Sequence, residues 1–236
     1  MITVYVIIMD KSKLGTIVVL LFAAIILSGC TGILSDTEVN FSSSPATLNN
    51  STMNDSGYEK INQTTIKSSD NISFQDFEKE ISITNHLTVY ETNFDRQSSE
   101  EPNYNQEVQN SGSRTYLFTT PVINVSGQNI NPVADFTNRE MIEFFFPQYM
   151  QTYSESDTIK ISSESSSNVD IFDKKANKST YEVSSSRHTW TIVQTVEITK
   201  TVHEGDSVIV LRVTPNGPEE SGSISFQRLL NGIKHT

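Results

Sequence analysis

The chain has 236 residues, with 28 acidic side chains against 17 basic ones, a formal net charge of −11, one Cys and a hydrophobic fraction of 36%. A single Cys excludes an intramolecular disulfide framework and any multi-Cys zinc or iron–sulfur centre, and the acidic balance excludes the clustered Lys and Arg with which nucleic-acid phosphates are neutralised. Even with its ten Gly added, the apolar share stays under the roughly 45–50% usual for globular domains, so part of the chain is expected not to pack.

Lys11 and Lys13 precede an apolar run, Leu14 to Leu27, that ends in Leu27-Ser28-Gly29-Cys30. A basic segment, an apolar segment and a small-residue site in this order make a signal peptide. As a helix, the run would rise about 21 Å against a hydrocarbon core of about 30 Å, which is short for an anchor. Residues 1–29 are therefore expected to be cleaved. Val4, Val6, Ile7 and Ile8 place apolar residues ahead of the lysines, so translation is expected to start at Met9. The position of Cys30 resembles the lipobox at which prokaryotic lipoproteins are cut and lipidated on the Cys sulfur. That resemblance implies lipidation of Cys30, the membrane as a partner through the lipid, and a place on the extracytoplasmic face of the cell membrane.

Residues 30–56 read as the lipidated Cys, a tether and a short strand, around Val39 and Phe41, in a polar linker; 57–236 read as one domain. Strands are expected over Tyr58 to Ile66 and Ile81 to Glu91, the second with Ile81, Ile83, Leu87 and Val89 on one parity and Asn85 interrupting them. The stretch 96–113 has almost nothing apolar and reads as a mobile loop between strands. Tyr116 to Val125 is strand-like, Ser126-Gly127 a turn, and Asn131-Pro132 a stop. Thr137-Asn138-Arg139-Glu140 has the form of a capping box, and Met141, Ile142, Phe145 and Tyr149 follow at helical spacing. A helix over 138–151 results, shortened or kinked by Pro147.

Weaker strands are expected over 158–162, 169–173 and 179–183, with Ser162 to Ser167 and Ser184 to Ser186 as solvated turns. The strongest strand signal runs from Trp190 to Val202, with apolar residues on one parity and Thr and Glu on the other. Glu204-Gly205-Asp206 turns it into Ser207 to Thr214, apolar on both parities and so buried on both faces. A last helix over 223–234 carries Phe226, Leu229, Leu230 and Ile233 at i, i+3, i+4 and i+7. The fold class expected is α+β, an antiparallel sheet flanked by the helices 138–151 and 223–234.

Several stretches carry a family resemblance: the lipobox, Phe-Ser-Ser-Ser-Pro-Ala-Thr from position 41, Gly57-Tyr58-Glu59, Thr84-Asn85-His86, Phe118-Thr119-Thr120-Pro121, Asn131-Pro132 with Asp135 to Glu140, and the end at His235. Together they resemble an uncharacterised family of archaeal, mostly haloarchaeal, secreted lipoproteins, over nearly the whole exported chain. No activity comes with that resemblance. The order of elements is also similar to the PsbP/Mog1-type α+β sandwich, whose members mostly act as accessory or binding subunits; function does not follow from fold.

For chemistry the sequence offers little. It has no Gly-x-Ser-x-Gly elbow, His-Glu-x-x-His, phosphate loop or dinucleotide fingerprint. His86, His188, His203 and His235 lack ligand spacing, with His188 and His203 about 50 Å apart along one strand at roughly 3.3 Å per residue, so no metal and no cofactor are expected. Asp135, Asn138, Arg139 and Glu140 form the best polar group: a ligand or partner patch at a helix N-terminus, or capping with a surface ion pair. Trp190 and Tyr181 could form an aromatic platform for a glycan, or pack in the core. Eight N-glycosylation sequons, at Asn40, Asn49, Asn50, Asn54, Asn62, Asn71, Asn124 and Asn177, are compatible with export. The function expected is that of a lipid-anchored, non-catalytic binding or accessory subunit of an envelope complex, with an envelope protein as partner. The alternative is an enzyme of envelope or glycan turnover using acidic residues such as Asp135 and Glu140.

Overall fold

The computed structural model describes residues 38–74, 77–92, 112–125, 128–129, 131–149, 158–187, 190–215 and 224–236. Residues 1–29, read above as a signal peptide, Cys30 and the polar loop as far as residue 111 lie outside them. Strands dominate the described residues and form a curled half-barrel sheet with a few short helices. This corrects the α+β expectation, and with it the likeness to an α+β sandwich.

Two physical reasons account for the difference. The Ser- and Asn-rich stretches that read as turns are strand: β8 (Thr158–Ile171) and β9 (Lys174–Arg187) form one long hairpin through Ser165↔Thr180 and Ser167↔Lys178. A ladder is held by backbone N–H and C=O groups, which every such residue supplies whatever its side chain. The C-terminal helix is also shorter than its apolar spacing suggests. It ends where the Gly232 N–H reaches the carbonyls of Leu229 and Leu230, and Ile233–His235 continue as a strand.

Seven strands lie side by side in the order β3 (Tyr58–Phe74), β4 (Phe77–Thr92), β5 (Arg114–Pro121), β11 (Asp206–Pro215), β10 (Trp190–His203), β9, β8, all antiparallel. The short β1 (Glu38–Ser42) runs parallel to β4 at Glu80–Thr84, end to end with β5, which takes the same edge from His86 onward. Asn85 therefore sits at the seam between two partner strands. The bulges are elsewhere, at Lys60/Asn62 and Ser162/Glu164. Each inserts one residue and so moves later side chains of the same parity to the other face. In this way Ile161 packs on one face of the sheet while Val169 and Ile171 pack on the other.

Both faces are covered. On one, α3 (Asn138–Tyr149) lays Met141, Ile142 and Phe145 over Leu87, Phe118, Val196, Ile198, Ile209 and Leu211. Its start is the expected capping box, with the Glu140 N–H donating to Thr137 Oγ1 at 3.2 Å and the Thr137 N–H to Glu140 Oε2 at 2.7 Å. Asn131-Pro132, read as a stop, instead opens the short α2 (Pro132–Asp135): the Asn131 side chain accepts from the Val133 N–H, and Pro fits the first turn, where no donor is needed.

The opposite face is covered by β2 (Ala46–Leu48), α1 (Asn50–Ser56), α4 (Phe226–Asn231) and β12 (Ile233–His235). Ala46, Leu48, Phe226, Leu229, Leu230 and Ile233 pack there on Tyr90, Leu117, Val208 and Val210. β12 pairs with β2, Ile233↔Leu48 to His235↔Ala46, which joins the two ends of the domain. β11 is thus buried on both sides, in keeping with its unbroken apolar run from Val208 to Leu211. Among the described residues no helix is long and apolar enough to cross a membrane.

Candidate functional site

One end of the sheet gathers two tight hairpins, the C-terminal strand and the segment after β1. The β10–β11 hairpin turns on Glu204 and Gly205, with φ of 51° and 87°. Two successive positive φ values match the right-handed twist of the flanking strands, and Gly205 takes its value without steric cost. His203 and Asp206 then face each other as the closing pair of the hairpin. The β8–β9 hairpin turns on Phe172 and Asp173, at φ 49° and 59°. An aromatic residue in the left-handed region costs about 1–2 kcal/mol, and at this position the Phe172 ring stacks on His203 with centroids 4.1 Å apart and planes 29° from parallel.

His235 arrives from the far end of the sequence. It is buried, and its Nδ1 lies 3.2 Å from Nδ1 of His203. Its other nitrogen, Nε2, donates to Asp206 Oδ2 at 3.1 Å. Asp206, also buried, accepts at the same oxygen the Ser44 N–H at 2.7 Å. With Nε2 carrying the proton for Asp206, Nδ1 of His235 is the lone-pair nitrogen, aimed at His203. A carboxylate behind an imidazole fixes its tautomer and orientation and raises its basicity toward whatever faces the other nitrogen. Glu204 completes the group at the solvent edge, with a carboxylate oxygen within 4.8 Å of a nitrogen of each imidazole.

The residues singled out in the sequence lie elsewhere, around the start of α3, and each is engaged in local structure. Asp135 Oδ1 accepts from Asn129 Nδ2 at 3.0 Å. Asn138 Nδ2 donates to Ser179 Oγ at 3.0 Å and to the Asn177 carbonyl at 3.3 Å, tying the helix to β9. Arg139 pairs with Glu143 one turn on, at 3.1 Å. Glu140 is the capping carboxylate, and the Thr137 backbone N–H, followed by the Thr137 hydroxyl, holds its carboxyl below the ordinary value. Behind them Lys200 donates to the carbonyls of Ala134 and Phe136 at 2.9 and 2.7 Å. Burial lowers its ammonium pKa, against the pull of Asp135 and Glu140.

Of the aromatic pair, Tyr181 is core, and the Trp190 side chain lies outside the described residues, as does His188. Asn49 caps α1, accepting the Thr52 N–H at 2.7 Å. Asn40, Asn50, Asn54, Asn62, Asn124 and Asn177 are solvent-facing or nearly so, and the Asn71 side chain lies outside the described residues.

The model of a domain of unknown function, DUF6517, matches residues 45–234. The chain belongs to that family. No curated relative matches the sequence. The match runs from the residue before β2 to the middle of β12, so it covers β2, His203 and Asp206 and stops one residue short of His235.

Sequence reasoning missed this group. His203-Glu204-Gly205-Asp206 does carry a local signal, because a two-residue turn must set His203 opposite Asp206. His235 carries none, since its place depends on pairing with a strand almost two hundred residues earlier.

Proposed function

We propose that this chain is an exported lipoprotein of the archaeal type its sequence resembles, held by lipid on Cys30 at the extracytoplasmic face of the cell membrane. Its DUF6517 domain acts there as a non-catalytic binding or accessory subunit of an envelope assembly. The observation that carries the reading is the position of Cys30. It stands directly behind Leu27-Ser28-Gly29 at the end of the only signal-like apolar run, and ahead of the family domain that starts at residue 45. The competing role, an enzyme of envelope or glycan turnover, would use Asp135 and Glu140. Those carboxylates are engaged by Asn129 and Thr137, which favours binding over catalysis at that surface.

Fractionation of cells that produce the tagged protein tests the anchor: the wild type sediments with membranes, and Cys30→Ser releases it to the soluble fraction or the medium. Unchanged membrane retention of Cys30→Ser refutes the lipid anchor. Crosslinking on intact cells, followed by mass spectrometry, tests the subunit role, which requires a stoichiometric envelope partner that is lost with Cys30→Ser.

A further inference from the structure

We propose that His203, Glu204 and His235 form a binding site for a divalent transition-metal ion, with Zn²⁺ as the best fit. The inference stands on the folded domain and is independent of the lipid anchor.

The distance between the two imidazoles is the first argument. Ligand nitrogens about 2.0–2.1 Å from a tetrahedral ion stand roughly 3.3 Å apart, and Nδ1 of His203 and Nδ1 of His235 are 3.2 Å apart. Without an ion, one of these nitrogens must keep a proton and donate it to the other. With an ion, His203 moves that proton to Nε2 and both lone pairs face the metal. His235 is already set for this, because its Nε2–H is held by Asp206, itself fixed by the Ser44 N–H. That chain of carboxylate, imidazole and lone pair is the usual second layer behind a metal-bound histidine.

The second argument is how rigidly the group is held. Phe172 adopts a backbone conformation that a bulky residue avoids, and its ring covers the face of His203. Backbone strain of this kind persists where surrounding structure over-determines it, and it concentrates at functional sites. A solvated histidine at a hairpin end has no need of such a stack. Glu204 is exposed at the tip of the turn, and a carboxylate oxygen already stands within 4.8 Å of a nitrogen of each imidazole, as the third ligand. Two imidazoles and one carboxylate suit Zn²⁺, and leave a fourth position for water or for a group from a partner. Mg²⁺ and Ca²⁺, which take oxygen ligands, are poorly matched.

The test uses the full-length protein in detergent, stripped with a chelator and dialysed against Zn²⁺, Co²⁺ or Mg²⁺, with bound metal measured by mass spectrometry. One equivalent of Zn²⁺ is expected, Mg²⁺ is not retained, and Co²⁺ gives the intense visible bands of a four-coordinate ion. His203→Ala and Glu204→Gln alter a half-buried and an exposed side chain, so they should keep the fold, as judged by circular dichroism. His203→Ala should abolish the Co²⁺ bands. Asp206→Asn, which disturbs the support of His235, should weaken Zn²⁺ binding about 10–100-fold. Failure of the wild type to retain Zn²⁺ overturns the proposal, and so does Zn²⁺ binding that folded His203→Ala leaves unchanged.

Discussion

Replacement of Arg212 by Met tests what holds α4 on the sheet. The guanidinium is nearly enclosed: side-chain exposure is 12% for Arg212 and 14% for Glu197, its partner on the neighbouring strand. Arg212 Nε donates to Glu197 Oε2 at 2.8 Å, Nη1 donates to the Ile224 carbonyl at 2.6 Å just before the helix, and the cation stands 5.4 Å from the centre of the Phe226 ring. Lys178 Nζ reaches the other oxygen of Glu197 at 2.8 Å. Removing one partner from a buried ion pair costs about 3–5 kcal/mol, and Lys178, still paired with Glu197, places this case at the low end. An orphaned Ile224 carbonyl adds about 1 kcal/mol. The expected destabilisation for Arg212→Met is therefore about 3–4 kcal/mol, read as a lower urea midpoint at constant slope by far-UV circular dichroism. Glu197→Met should cost a similar amount by stranding two cations. The double variant should be less destabilised than the sum of the singles by about 2 kcal/mol, because an apolar pair of similar volume leaves no buried charge without its partner. Additive losses would refute the reasoning, since they would mean that the two side chains contribute by packing alone.

Two further outcomes follow from the same kind of reading. A Cβ added at Gly232 would stand 2.1 Å from Thr52 Oγ1 and 2.6 Å from Thr52 Cβ, so Gly232→Ala should destabilise by about 1–3 kcal/mol of overpacking, measured by urea unfolding; a loss under a few tenths would show that α1 shifts freely. By carboxyl-resonance NMR, Glu140 should titrate below the ordinary glutamate range, and Thr137→Val should move it part of the way back by removing the hydroxyl contribution while the larger backbone one remains. Because the carboxyl is lowered in the fold, its stabilising effect is full above pH 4.5 and is lost as pH falls through the lowered value; a Glu140 midpoint at the ordinary value would contradict the capping geometry.

Much of the sheet was legible because its strands alternate or carry uninterrupted apolar residues. Val196 and Ile198 against Thr195, Glu197 and Thr199 define the two sides of β10, and Val208 to Leu211 define a strand with no polar side at all. The capping box was legible for a local reason: four consecutive residues hold the whole hydrogen-bond pattern. Composition failed in β8 and β9, where Ser165, Ser166, Ser167, Asn168 and Asn177 face solvent along a ladder that asks nothing of them except a backbone. Periodicity failed in the last segment for a different reason. Phe226, Leu229, Leu230 and Ile233 do cover one apolar face, but a helical turn followed by a strand covers it as well as a longer helix would, and only pairing with Ala46–Leu48 decides between them.

That pairing also explains why the candidate site was hidden while the surface around Asp135 stood out. Asp135 to Glu140 are neighbours in sequence, and sequence proximity is what motif reading detects; most of their interactions are the local ones of helix entry, while Asn138 also ties the helix to β9. The β10–β11 turn alone sets His203 opposite Asp206, but His235 joins them only because β12 lies along β2, and the residues between β1 and β2 pass over that turn, where Ser44 donates to Asp206. Chemistry built from side chains so far apart in the chain has no spacing to read, and becomes visible only once the topology is known. The same topology makes the site sensitive to both ends of the domain. A change that unpairs β2 from β12 moves His235 away from His203 without touching either residue, so binding at this site reports directly on whether the two ends of the domain are joined.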